Sequence, residues 1–199
     1  MSRLVLASAS PARLALLRTA GFEPEVIVSG VDEDGAEGTA AEVALSLAHL
    51  KARAVADHLA DTTAAVIGCD SVLELDGEVR GKPASTADAI EGWKRMRGTV
   101  GILRTGQCLI HAERETSAVA STSVYFGSPS DQEIERYVAT GEPLRVAGGF
   151  TIDGPGGLFV DKIDGDHGTV IGLSLPLLRR QFIELGLGQD LWESLCARS

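Results

Sequence analysis

Long apolar runs are missing from this 199-residue sequence, and no stretch approaches the roughly 20 consecutive apolar residues that a membrane-spanning helix needs. The N-terminus carries no long apolar leader, because a polar Ser-Ala-Ser-Pro turn breaks it at once. Cysteine is scarce: Cys69, Cys108 and Cys196 are odd in number and far apart, which suits a reduced, cytoplasmic protein better than a disulfide framework. These cysteines, together with His49, His58, His111 and His167, show no zinc-ligand spacing. Basic residues are outnumbered, 18 Lys and Arg against 28 Asp and Glu, for a net charge of −10. That balance argues against a broad nucleic-acid surface, which normally shows as a basic patch. It does not exclude one phosphorylated small molecule, since a few cations and a metal ion can reverse the sign inside a cleft.

Several catalytic signatures are absent as well. Ser8, Ser10 and Cys69 have no G-x-S-x-G elbow around them and no histidine placed locally as a base. There is no G-x-x-x-x-G-K-[ST] loop, so the chain is not a P-loop enzyme. "GGFTIDGPGG" is glycine-rich but lacks G-x-G-x-x-G between strand and helix, and as a local pattern it describes a tightly turned loop.

What is present is an interleaving of strand and helix signals with no internal repeat and no low-complexity linker. Leu4 to Ala7 has the pattern of a buried strand, followed by a helix from Pro11 to about Ala20 with Gly21 just past its end. A second strand is expected over Glu25 to Val28. Thr39-Ala-Ala-Glu42 is a capping-box pattern opening a long helix to about Leu59. Ala64 to Cys69 is a β-type run expected to stop at Asp70, and "LELDGEVR" signals a hairpin turning on Asp76-Gly77. A further helix should start at Ser85, and two strands should follow, about Val100 to Ala112 and Ser117 to Phe126. A helix capped by Ser130, a strand in "GLFVDKI" and a helix from Ser174 to Leu185 complete the series. Because some strands are joined as hairpins, the expected fold class is α/β with a mixed sheet. Two lobes around a central cleft are compatible with this order, and the length permits one substantial domain or two small ones.

Chemistry is most plausible at three places. The first is "LASASPARLALL": either Ser10 merely caps the helix and Arg13 is solvated, or an anion sits at that helix end on Ser8, Ser10 and Arg13. The second is "GCDSVLELDGEVRGKP", with Asp70 closing an apolar strand and Lys82 held in a stiff Gly-Lys-Pro turn. The third is Glu33 in "VDED", either a solvated loop acid or half of a carboxylate pair with Asp70 able to hold a divalent cation, Mg2+ first. Lys51, on the long helix, faces either this cleft or solvent.

Taken together, "LASASPARLALL", "VDED", "LAHLKARAVA", "GCDSVLELDGEVRGKP", "GEPLRVAGGFTIDGPGGLFV" and "VIGLSLPLL" resemble, in order and spacing, the Maf family, from about residue 4 to residue 186. The resemblance implies a single domain over residues 1–199 with an inosine-triphosphatase-like fold: an elongated, twisted mixed sheet flanked by helices. It implies a cytoplasmic, homodimeric nucleoside triphosphate pyrophosphatase that uses Mg2+ or Mn2+ and yields a nucleoside monophosphate and pyrophosphate. Asp70, Lys82 and Glu33 then take catalytic roles, with Glu33 and Asp70 as metal ligands. Ser8, Ser10, Arg13, Lys51, Ser71 and Asp153 take substrate-binding roles. Ala12 stands where many members carry a second arginine. Ser71 and Asp153 match neither the branch acting on dTTP and UTP nor the branch acting on 7-methyl-GTP, so the preferred base stays open between pyrimidine and modified nucleotides. The competing expectation is a non-catalytic nucleotide-binding regulator of septum formation, since the family name is linked to cell division. No nucleic-acid polymer and no membrane is expected as a partner.

Overall fold

Apolar and β-branched residues run with little interruption from Ala65 to Leu75, and this segment forms the spine of the sheet in a computed structural model that describes residues 3–33, 35–59, 63–189 and 192. Asp34 and Cys196 lie outside the described residues. The spine (β3, Ala65–Leu75) follows β1 (Leu4–Leu6), α1 (Pro11–Thr19), β2 (Glu25–Val26) and α2 (Ala40–Leu59). After it come β4 (Glu78–Arg80), α3 (Thr86–Met96), β5 (Val100–His111), β6 (Arg114–Phe126) and α4 (Asp131–Ala139). The chain continues through β7 (Val160–Asp164), α5 (His167–Ile171) and α6 (Leu175–Glu184). The seven strands run in the order β2-β1-β3-β5-β6-β7, with β4 also on β3. β1 pairs in parallel with β2 and β3, and the other pairs are antiparallel, so the sheet is mixed as expected.

The cleft follows from the register. β1 covers only Ala65 to Ile67 on one edge of β3, and β4 covers only Leu73 to Leu75 on that same edge. Between them Gly68 to Val72 has no strand beside it, while β5 pairs along the opposite edge from Ala65 through Glu74. The gap interrupts the sheet at its middle. Cores lie on either side of this waist. Ala65, Ile67 and Cys69 join Leu17, Phe22, Leu178 and Phe182, whereas Leu73 and Leu75 join Trp93, Phe126, Tyr137 and Phe150. Ser71 points to the same face, between the two cores, because strand side chains alternate.

The even-numbered face of β3 is covered by α2. A Cβ at Gly68 would lie 2.3 Å from the Ala48 carbonyl oxygen, and one at Gly106 would lie 2.1 Å from that of Ala44. These two bare positions let the small-residue stripe of α2 settle directly on the sheet. Its N-terminus is fixed by the expected capping box: Thr39 and Glu42 exchange hydrogen bonds, with the Thr39 amide donating to Glu42 at 2.9 Å.

Some boundaries differ from the sequence expectation. β3 does not stop at Asp70, because the ladder with β5 continues through Asp70, opposite Gly106, and the acid is accommodated by a cation from α2. The crevice therefore opens at the side of a strand and not at its end. β2 is shorter than expected, and β6 begins at Arg114, since a tight turn at Ala112 (φ 54°) already reverses the chain. Pro155–Phe159 is a 3-10 turn leading into β7, and α5 had no sequence expectation.

Candidate active site

α1 starts at the end of the short β1, so its N-terminus opens on the gap in the sheet. Ser10 does cap it: its hydroxyl accepts the Arg13 amide at 3.3 Å. Arg13, however, is only 9% exposed. Its Nε donates to the Gly172 carbonyl at 2.7 Å, Nη1 to Ser8 Oγ at 3.1 Å and Nη2 to Ser71 Oγ at 3.1 Å. Ser8 Oγ also accepts the Ser10 amide at 3.2 Å. A guanidinium carries five N–H groups, so two have no acceptor among the described residues. All three of its acceptors are uncharged, and Arg13 forms no ion pair among the described residues.

On the opposite face of β3, Lys51 projects from α2 and is 6% exposed. Its ammonium lies 2.6 Å from Asp70 Oδ1 and 2.7 Å from Glu33 Oε1, so a helix, a strand and a loop converge on one cation. Partial burial pushes the Glu33 carboxyl up, but the Lys51 hydrogen bond and the Lys51, Lys82 and Arg13 charges together hold it below the usual glutamate range. Each carboxylate keeps its second oxygen without a partner among the described residues. Two hard oxygen donors side by side fit Mg2+ or Mn2+, which commonly take one or two carboxylates and complete their shell with water and phosphate. Among the described residues no group of three or more His, Cys, Asp or Glu could hold a metal, so substrate and water would supply the rest of the shell.

Lys82 is exposed in the turn after β4, and the Gly148 amide donates to the Gly81 carbonyl beside it at 3.0 Å. The glycine-rich loop is thereby fastened to the Gly-Lys-Pro turn. Lys82 is close enough for its charge to act on Glu33, but it forms no ion pair among the described residues. The structure thus gathers Ser8, Ser10, Arg13, Ser71, Glu33, Lys51 and Asp70 around one gap, with Lys82 at its margin. Asp153 is exposed and joins no hydrogen bond or ion pair among the described residues. Cys69 is fully buried, and burial pushes its thiol up to about 12, which removes it as a nucleophile.

Three contributors escaped the sequence reading: Thr105, Thr169 and Gly172. Ser71 Oγ and Thr105 Oγ1 are 2.8 Å apart, and Thr105 donates to the Thr169 carbonyl at 2.8 Å. Gly172 caps α5 with φ 117°, and a Cβ there would lie 2.9 Å from Arg13 Nε. The signals were an aspartate cap at Asp166 and a glycine stop at Gly172, bracketing a helix of five residues.

The Maf-like protein family matches residues 3–185. A relative from Salinispora tropica is 61% identical over 191 residues, covering 93% of this chain and 84% of that protein. One from Streptomyces coelicolor is 59% identical over 194 residues (96% and 94%), and one from Nostoc punctiforme is 50% identical over 193 residues (95% and 97%). All three are named nucleoside triphosphate pyrophosphatase. Among solved structures the chain is similar to the Staphylococcus aureus Ham1 protein, with a TM-score of 0.48 and 18% identity over 96% of this chain and 99% of that one. With a family match spanning nearly the whole chain and relatives at this level of identity, the chain belongs to the Maf-like protein family.

Proposed function

We propose that this protein hydrolyses nucleoside triphosphates between the α- and β-phosphates, releasing a nucleoside monophosphate and pyrophosphate, and that it depends on a divalent cation, Mg2+ or Mn2+. The observation that carries the reading is the convergence of Glu33, Lys51 and Asp70 on one side of the sheet gap, with Arg13 on the other. Arg13, Ser8 and the α1 N-terminus offer N–H and O–H donors to phosphate oxygens. Lys82, in its turn at the margin, adds a cation where charge develops on the departing pyrophosphate. Asp70 takes a proton from the attacking water as its oxygen bonds to the α-phosphorus and the bridging bond to the β-phosphate breaks. Lys51 holds Asp70 and Glu33 at a fixed separation. A bound divalent cation, held by Glu33 and Asp70, would supply charge neutralisation and acidify water, which helps because carboxylates are weak bases at neutral pH.

Substrate preference among modified and pyrimidine nucleotides, a homodimeric state and a cytoplasmic setting complete the proposal. The buried free thiols Cys69 and Cys108 support the setting, and no helix among the described residues is long and apolar enough to cross a membrane. The test is a panel of canonical and modified nucleoside triphosphates with Mg2+ or Mn2+, with monophosphate, pyrophosphate and orthophosphate separated. Monophosphate and pyrophosphate in equal amounts from a narrow substrate set are expected. Orthophosphate would make the protein a phosphatase. Tight binding without turnover by folded protein would favour the regulatory reading.

A further inference from the structure

A hydroxyl carries one hydrogen, and this rule fixes the direction of the polar chain behind Arg13. α5 is only one turn long, so its last carbonyls have no intrahelical partner. The amides of Gly172 and Leu173 both return to the Gly168 carbonyl, leaving the carbonyls of Thr169 and Gly172 to donors from elsewhere. Thr105 Oγ1 spends its hydrogen on the Thr169 carbonyl at 2.8 Å, and Arg13 Nε satisfies the Gly172 carbonyl at 2.7 Å. In the 2.8 Å contact between Ser71 and Thr105, Thr105 has no hydrogen left, so Ser71 is the donor. Ser71 then meets Arg13 Nη2 as an acceptor, at 3.1 Å. The chain runs one way: Arg13 to Ser71 to Thr105 to the Thr169 carbonyl.

Phosphate oxygens at neutral pH are acceptors, and a ligand rich in them needs donors. Ser71 has none to give. Its hydrogen points inward to Thr105, which is wholly buried. Resting on the proposed triphosphate chemistry of this site, we infer that Ser71 and Thr105 are positioning residues that aim the Arg13 guanidinium at a polyphosphate, and that Ser71 makes no hydrogen bond to the ligand itself. Gly172 completes the cradle. Its bare α-carbon leaves room for the guanidinium, which a Cβ would crowd at 2.9 Å. The arrangement holds a planar cation on three sides with neutral acceptors, so no described carboxylate takes up its hydrogen bonds and its two remaining N–H groups are oriented before a ligand arrives.

The probes are inorganic tripolyphosphate for equilibrium binding by calorimetry and, for product-resolved kinetics with Mg2+, the nucleoside triphosphate of the panel that the wild type turns over fastest. Ser71→Ala and Thr105→Val should each weaken tripolyphosphate binding and raise KM by roughly tenfold. Their kcat should change less than KM does, and Ser71→Thr, which keeps the hydroxyl, should bind as the wild type does. If Ser71 instead donated to the ligand, Thr105→Val would bind tripolyphosphate normally while Ser71→Ala would not, and the inference would fall. A second test avoids the buried site: in an Arg13→Lys background, Ser71→Ala should cause no further weakening, and a further tenfold loss would overturn the inference. Wild-type protein that neither binds tripolyphosphate nor releases pyrophosphate from any of the panel of nucleotides overturns the reading of the site. Wild-type protein that does both, with all variants unshifted, overturns the hydroxyl chain alone.

Discussion

Arg13 and Lys51 are cations of the same cleft, both buried, and they are solvated by the protein in opposite ways. Lys51 sits between two carboxylates, Glu33 and Asp70, at 2.7 and 2.6 Å. Arg13 has two serine hydroxyls and one backbone carbonyl. Burying a charge without an opposite charge is costly, and the cost is tolerable for a delocalised guanidinium whose hydrogen bonds are well made. The difference assigns the labour. Lys51 is neutralised in place and organises two acids, whereas Arg13 keeps a net positive charge for something that arrives.

Mutations can break this contrast at either side. The largest effect is expected on the Lys51 side: Asp70→Asn should lower kcat by roughly 1000-fold or more, the upper part of the range for a general base, while nucleotide affinity changes by only a few fold. Product-resolved kinetics and calorimetry check both halves. On the other side, Arg13→Lys should raise KM by roughly 10- to 100-fold, because a point charge cannot reproduce the planar fork. Its kcat should fall less than its affinity. Stability separates the two cations again: Lys51→Met leaves Asp70 buried beside Glu33 without the one cation in direct contact with both, for a loss of about 2 kcal/mol once the partial exposure of Glu33 is allowed for. Denaturant titration reads that loss directly, and an unchanged midpoint would mean that the acids do not need the lysine.

Gly68→Ala sharpens the same point from a distance. Its Cβ would meet the Ala48 carbonyl at 2.3 Å, so α2 must lift, at a cost of about 1–3 kcal/mol, and carry Lys51 away from Asp70. A loss of stability accompanied by reduced kcat is expected; stability loss with unchanged turnover would free the lysine from any part in the chemistry. The smallest effect concerns titration. Burial raises the Glu33 pKa, and the Lys51 hydrogen bond and nearby cations lower it below its ordinary 4.5. A depressed carboxylate contributes stability that is fully present above the unfolded pKa and is lost as pH falls through the folded one. In Lys51→Met, Glu33 should therefore titrate at higher pH than in the wild type, as followed by carbon-detected NMR of its carboxyl group. A fixed midpoint would contradict the pairing.

Elements with local punctuation were the most legible in the sequence. The Thr39 and Ser130 capping boxes, the Asp76-Gly77 turn and the Gly186 stop all mark element ends where the structure has them. Boundaries set by long-range pairing were not legible. Whether β3 ended at Asp70 depended on β5, some 36 positions away at Gly106, and on a lysine from α2. The site split in the same manner. Ser8, Arg13, Glu33, Lys51, Asp70 and Lys82 are polar residues within recognisable motifs. Thr105 and Thr169 look like ordinary strand and helix threonines until the fold brings them behind Ser71. Ser10 was ambiguous for a physical reason, because a helix cap and an anion site use the same atoms.

Steady-state kinetics of Asp70→Asn and Arg13→Lys, measured side by side on the nucleotide that the wild type turns over fastest, test the division of labour most directly. The predicted result is a split: Asp70→Asn loses kcat with affinity kept, and Arg13→Lys loses affinity with most of kcat kept. Turnover retained by Asp70→Asn, or the same parameter lost in both variants, would contradict it.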